Sequence, residues 1–156
     1  MTEDRARRRI EYALQAVSES LIAHGATLLS IAILMFVAGA PTVIENDLGP
    51  VSRILMGSSG ALAGGLLLVG PAVGLESRLG WLSALFGAGI ALVWHFVMVT
   101  AFIQATLSRE FIILGISESP PADYTARPYI PLVYLGYVTL VSIHLRRLAR
   151  LGLPAR

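Results

Sequence analysis

Three histidines, His24, His95 and His144, hold most of the chemical capacity of this 156-residue chain. A neutral imidazole can ligate haem iron, and it can donate one hydrogen bond while accepting another. His95 lies deep in an uncharged stretch, flanked by Trp94 and Phe96, with Thr100 and Gln104 on the polar positions beyond. An ionisable group inside a membrane is a functional hypothesis by default. A neutral histidine hydrogen-bonded across helices satisfies the same residue, and that structural role is the reading adopted for His95. His24 falls about a turn into the first apolar stretch and His144 ends the last one. Both are therefore expected near one membrane face, away from His95. Paired imidazoles from different helices are what a haem-b membrane anchor would use, which makes His24, His144 and His95 the cofactor-binding candidates. A site so close to water disfavours that use of His24 and His144, and His95 has no histidine partner at its expected depth, where Met35 is placed instead. No cofactor is expected.

Other chemistry is excluded more simply. The chain has no cysteine, which removes disulfides, thiol redox chemistry and thiolate metal sites. All 12 basic residues are arginine and face 10 acids, a net charge of only +2, with no basic stripe of the kind nucleic acid requires. Nucleophile elbows, metalloprotease histidine pairs and phosphate loops are missing, so no catalytic residue or metal site is assigned and an enzyme is not expected. No acid or arginine lies well inside an apolar stretch, against the habit of pumps, proton-coupled transporters and voltage sensors. Small multidrug transporters need a membrane-embedded glutamate, and quinone-linked disulfide oxidoreductases need paired cysteines. Tyr134 and Tyr137, three apart, read as interhelical hydrogen-bonding groups.

The elements that must position these groups are apolar helices. Hydrophobic residues make up 55% of the chain and charged ones 14%, where a soluble domain would carry about a quarter. Four uncharged stretches, 20–44, 54–75, 79–108 and 128–145, each approach the ~20 residues that cross a bilayer as a helix. They predict one domain with spans at about 21–44, 54–75, 79–107 and 129–145. Residues 2–20 predict an amphipathic lead-in: Glu3 and Asp4 suit a helix N-terminus, and Ile10, Leu14, Val17 and Leu21 form one apolar stripe. The first stretch is too long for a signal-peptide core, and Pro41 would follow a cut at Ala38-Gly39-Ala40, so a retained span is expected. The link Glu76-Ser77-Arg78 makes spans two and three antiparallel neighbours. Neither Gly nor Pro occurs from 90 to 114, so helix three is expected to overrun the lipid before Gly115 stops it. Residues 117–128, rich in turn formers, read as an exposed loop.

Small residues give the packing signal. Gly57, Gly60, Gly64, Gly70 and Gly74 on span two, with Ala84 and Ala88 on span three, are the expected helix-packing positions. Span two carries small residues on nearly every face and so can meet more than one neighbour. Leu67 reads as lipid-facing.

With four spans and the N-terminus inside, nine arginines lie on the inner side and three on the outer, where Glu45, Asp47, Glu110, Glu118 and Asp123 gather. That matches the positive-inside rule and supports the fourth span. The fold expected is all-α: an integral membrane four-helix antiparallel bundle with an N-terminal interfacial amphipathic helix. It is placed in the cytoplasmic membrane with both termini cytoplasmic, a viral membrane being the other setting considered. The function expected is a structural or accessory subunit, in contact with the lipid bilayer and with other membrane subunits or copies of itself. The alternatives are a holin-like pore-forming oligomer and the haem-b anchor.

Overall fold

The computed structural model describes residues 3–38, 51–113 and 129–151, and every regular element in them is a helix: α1 Glu3–Ala38, α2 Val51–Val73, α3 Arg78–Ile113 and α4 Tyr129–Leu151. The loop expected over 117–128, the outer acids Glu45, Asp47, Glu118 and Asp123, Gly39 and Ala40 of the cleavage motif, and Gly115 lie outside the described residues, as do the side chains of Gln104, Glu110 and Tyr134. Three of the helices are long and apolar enough to cross a membrane, over Arg8–Val37, Val51–Val73 and Arg78–Thr100. Helix α3 runs for 36 residues, about 54 Å at 1.5 Å per residue, well beyond the ~30 Å of a hydrocarbon core.

The amphipathic lead-in and the first span are one unbroken helix rather than two elements. Between Glu3 and His24 there is neither Gly nor Pro to break it. Gly25 is held inside by its contact with α2. Of the expected stripe, Val17 and Leu21 are buried, Leu14 is half-buried and Ile10 is exposed.

Consecutive helices pack on one another, α1 on α2, α2 on α3 and α3 on α4, with a slight contact between α1 and α4. Small residues set the distances. A Cβ on Gly64 would come within 2.8 Å of the Gly25 carbonyl oxygen and 2.9 Å of the Leu29 amide nitrogen, so the two backbones nearly touch. Gly60 faces Ala32 and Trp94, and Gly57 faces the Phe36 ring. Gly70 lies against Ala84, which is fully buried, and Ala88 is buried with it. The pairings 25 with 64 and 36 with 57 run in opposite senses, and so do 70 with 84 and 60 with 94, which makes both neighbouring pairs antiparallel. Leu67, read as lipid-facing, is fully buried because α1 and α3 both close on α2 at its level.

Gly74 stands at the turn between α2 and α3, with its backbone carbonyl against Gly80. It ends α2 at φ +95°, a conformation other residues rarely adopt, with open space where a Cβ would sit. Its amide donates to the carbonyls of Gly70 and Pro71 at 3.1 Å, closing the helix end. Ser77 then caps α3, accepting from the Gly80 amide at 3.0 Å and donating to the Gly74 carbonyl at 2.8 Å.

Candidate functional site

Three helices converge on one buried polar cluster. Ser20 and His24, four apart on α1, share a face. Tyr137, Val141 and His144 share another on α4 through steps of four and three. Helix α3 supplies His95. Its neighbour Trp94 turns the other way and donates its indole N–H to the Met56 carbonyl on α2 at 2.9 Å. Ser83 donates to the Leu66 carbonyl at 3.1 Å, a second tie between α2 and α3. Those ties orient α3 so that His95 points toward α1 and α4.

His24 and His95 meet Nε2 to Nε2 at 3.1 Å, and Ser20 Oγ meets His144 Nε2 at 3.1 Å. The Tyr137 ring stacks on His95 at 4.8 Å between centroids, 7° from parallel, and lies 5.2 Å from His24. The His24 and His144 rings are 6.1 Å apart, and Trp94 presents its ring edge-on to His95 at 5.0 Å. His24, His95 and His144 are exposed by 3%, 0% and 1%, so none of the imidazoles meets solvent. Within the His24–His95 contact one Nε2 carries the hydrogen and the other offers its lone pair, so the two rings cannot hold the same tautomer. Nδ1 of His24 and Nδ1 of His144 are buried with no hydrogen-bond partner.

This geometry corrects the expected separation of the histidines. His24 and His144 do not stand apart from His95, and the partner of His95 is His24 rather than a residue at the level of Met35. Depth within an uncharged stretch misplaced them, because α1 begins far before its apolar part and α3 overruns at its far end. Tyr137, read as a hydrogen-bonding tyrosine, enters the cluster through its ring.

The His24–His95 contact suits hydrogen bonding between helices better than ligation. A haem iron held by two imidazoles separates their nitrogens by about 4 Å, twice a metal–nitrogen bond of ~2 Å, with the porphyrin between them. His24 and His95 are in direct contact instead. Among the described residues, no group of three or more His, Cys, Asp or Glu side chains is placed to hold a metal ion.

Outside the cluster Ser52 Oγ is buried without a hydrogen-bond partner, whereas four other hydroxyls are satisfied within their own helix. Thr27, Ser30, Ser59 and Thr100 each return a hydroxyl hydrogen to the carbonyl four residues earlier, at 2.7–2.9 Å. Comparison with protein-family models, with curated proteins and with solved structures gives no match to this chain.

Proposed function

We propose that this chain is a non-enzymatic, four-span membrane protein, a structural or accessory subunit that packs into a larger membrane assembly. Both termini lie on the cytoplasmic side, with nine arginines inside and three outside. The observation that carries the reading is an apolar groove of about 570 Å³ on the outer face of α2 and α3, lined by Leu55, Ser59, Phe86, Gly89, Val93 and Val97 among others. Among the described residues, nothing beyond its own turn of helix comes within 4 Å of a Cβ placed on Gly89. Lipid offers no hydrophobic drive between helices, so close backbone approach at small residues is what favours association. An outward glycine in a groove supplies that approach to a neighbouring helix. The holin-like alternative lacks comparable support, since the hydroxyls of Thr27, Ser30, Ser59 and Thr100 are engaged by their own helices rather than offered to a water path.

Two expected outcomes follow for this subunit. In mild detergent the parent runs as part of a complex, whereas Gly89→Leu is as stable as the parent but elutes free of its neighbours. Identical elution of the two proteins refutes the docking role of the groove. For topology, single cysteines label without background because the chain has none of its own. Asp47→Cys and Asp123→Cys are expected to react with an impermeant maleimide in intact cells, and Ser77→Cys to stay protected. Protection at Asp123 with labelling at Ser77 would overturn the orientation.

A further inference from the structure

At the arginine-rich end of the molecule a cleft of about 370 Å³ opens between α1 and α4, lined by Ala13, Ala16, Val17, Arg147 and Arg150. The face of α4 that meets α1 runs through Tyr137, Val141 and His144; Arg147 follows at its edge and Arg150 a third of a turn round from His144, and both line the cleft. The buried part of that face therefore ends at His144, and the next two turns present guanidinium groups. Opposite them α1 offers alanines. The helices stay apart there, and among the described residues no carboxylate lines the gap: Glu11 and Glu19 are absent from its walls, and Glu19 accepts from Gln15 at 2.9 Å.

We infer that this cleft binds the phosphate of an anionic phospholipid headgroup. The inference rests on the membrane reading above. Arginine forks match phosphate oxygens in pairs, and two of them over a neutral floor leave their charge for a ligand to balance. The site stands where apolar surface gives way to charge. Ile143, four residues before Arg147 on the same side of α4, is exposed by 42% and offers an apolar track for acyl chains. Basic pockets between helices at a cytoplasmic face are suited to such headgroups. A free phosphate would use the guanidinium groups but not the apolar track.

The test is native mass spectrometry of the full chain in detergent with equal amounts of phosphatidylglycerol and phosphatidylcholine, beside flotation on pure phosphatidylcholine vesicles. The parent is expected to float and to retain phosphatidylglycerol selectively. Each arginine near an anionic surface is worth about a fivefold change in affinity, so Arg147→Gln with Arg150→Gln should weaken retention about 25-fold. Ala16→Phe, which fills the cleft without changing charge, should lose selectivity as well. Arg78→Gln, a substitution outside the cleft, should retain it. Three results would each overturn the site while leaving membrane insertion intact: unchanged selectivity in the double variant, unchanged selectivity in Ala16→Phe, or displacement of the lipid by millimolar inorganic phosphate. Failure to float would overturn the membrane reading and this inference together.

Discussion

Gly64→Ala and Gly65→Ala are expected to change stability in opposite directions, although the two glycines are adjacent on α2. Alanine is the better helix former by about 1 kcal/mol, so an alanine that meets nothing should stabilise. At Gly65 none of the described residues beyond its own turn of helix lies within 4 Å of the new Cβ, and a modest gain is expected. At Gly64 the Cβ would press on the Gly25 carbonyl oxygen at 2.8 Å and the Leu29 amide nitrogen at 2.9 Å. Both are backbone atoms of α1 and cannot swing aside as a side chain would. The helices must separate, and contacts along α1 and α2 loosen together. Overpacking of this kind costs about 1–3 kcal/mol, more for a larger side chain. Gly64→Leu should therefore lose about 3 kcal/mol or unfold in detergent, while Gly65→Leu stays near the parent. Thermal unfolding followed by circular dichroism in mild detergent reads the difference. Equal shifts for the two leucine variants would mean that α1 and α2 do not meet at Gly64.

Replacing His95 alone is expected to cost more than its own contacts suggest. His95→Leu keeps apolar bulk in the core but leaves His24 Nε2 buried without its partner, a penalty of about 1–3 kcal/mol. His24→Leu does the same to His95. With both replaced no polar nitrogen of the pair is left stranded, so the double variant should be more stable than the sum of the single losses implies. A coupling of about 1–2 kcal/mol is expected from the double-mutant cycle. Strict additivity would show that the two imidazoles do not depend on each other. The cluster also bears on the subunit reading, because α1 and α4 touch only slightly elsewhere. His24 and Ser20 are the groups through which α1 reaches His95, Tyr137 and His144.

Much of this protein is written in local sequence. Long uncharged stretches made helices and little else, since a chain of this hydropathy satisfies its backbone in apolar surroundings most directly by helical hydrogen bonds. The unbroken run from 90 to 114 announced the overlong α3. The short link read at Glu76-Ser77-Arg78 announced a tight antiparallel return, though not that the turn begins at Gly74 and that Arg78 already belongs to α3. Small residues on nearly every face of α2 allowed more than one neighbour, and α1 and α3 both pack on it.

The histidine cluster was legible only in fragments. Ser20 with His24, and Tyr137 with His144, each fall on one face by helical periodicity. Periodicity says which residues share a stripe within a helix, and it is silent on how far one helix slides along another. That axial offset is set by where backbones can touch, above all at Gly25 against Gly64 and at Gly70 against Ala84. Depth measured from the ends of apolar stretches put His24 and His95 on different levels, and packing brought their nitrogens to 3.1 Å. The same offset buried Leu67 and left Gly89 facing outward. Composition and spacing by themselves determined the helices, their apolar character and the stripes they present. Tertiary structure alone decided which stripes meet and at what height, because that choice depends on steric contact between distant segments.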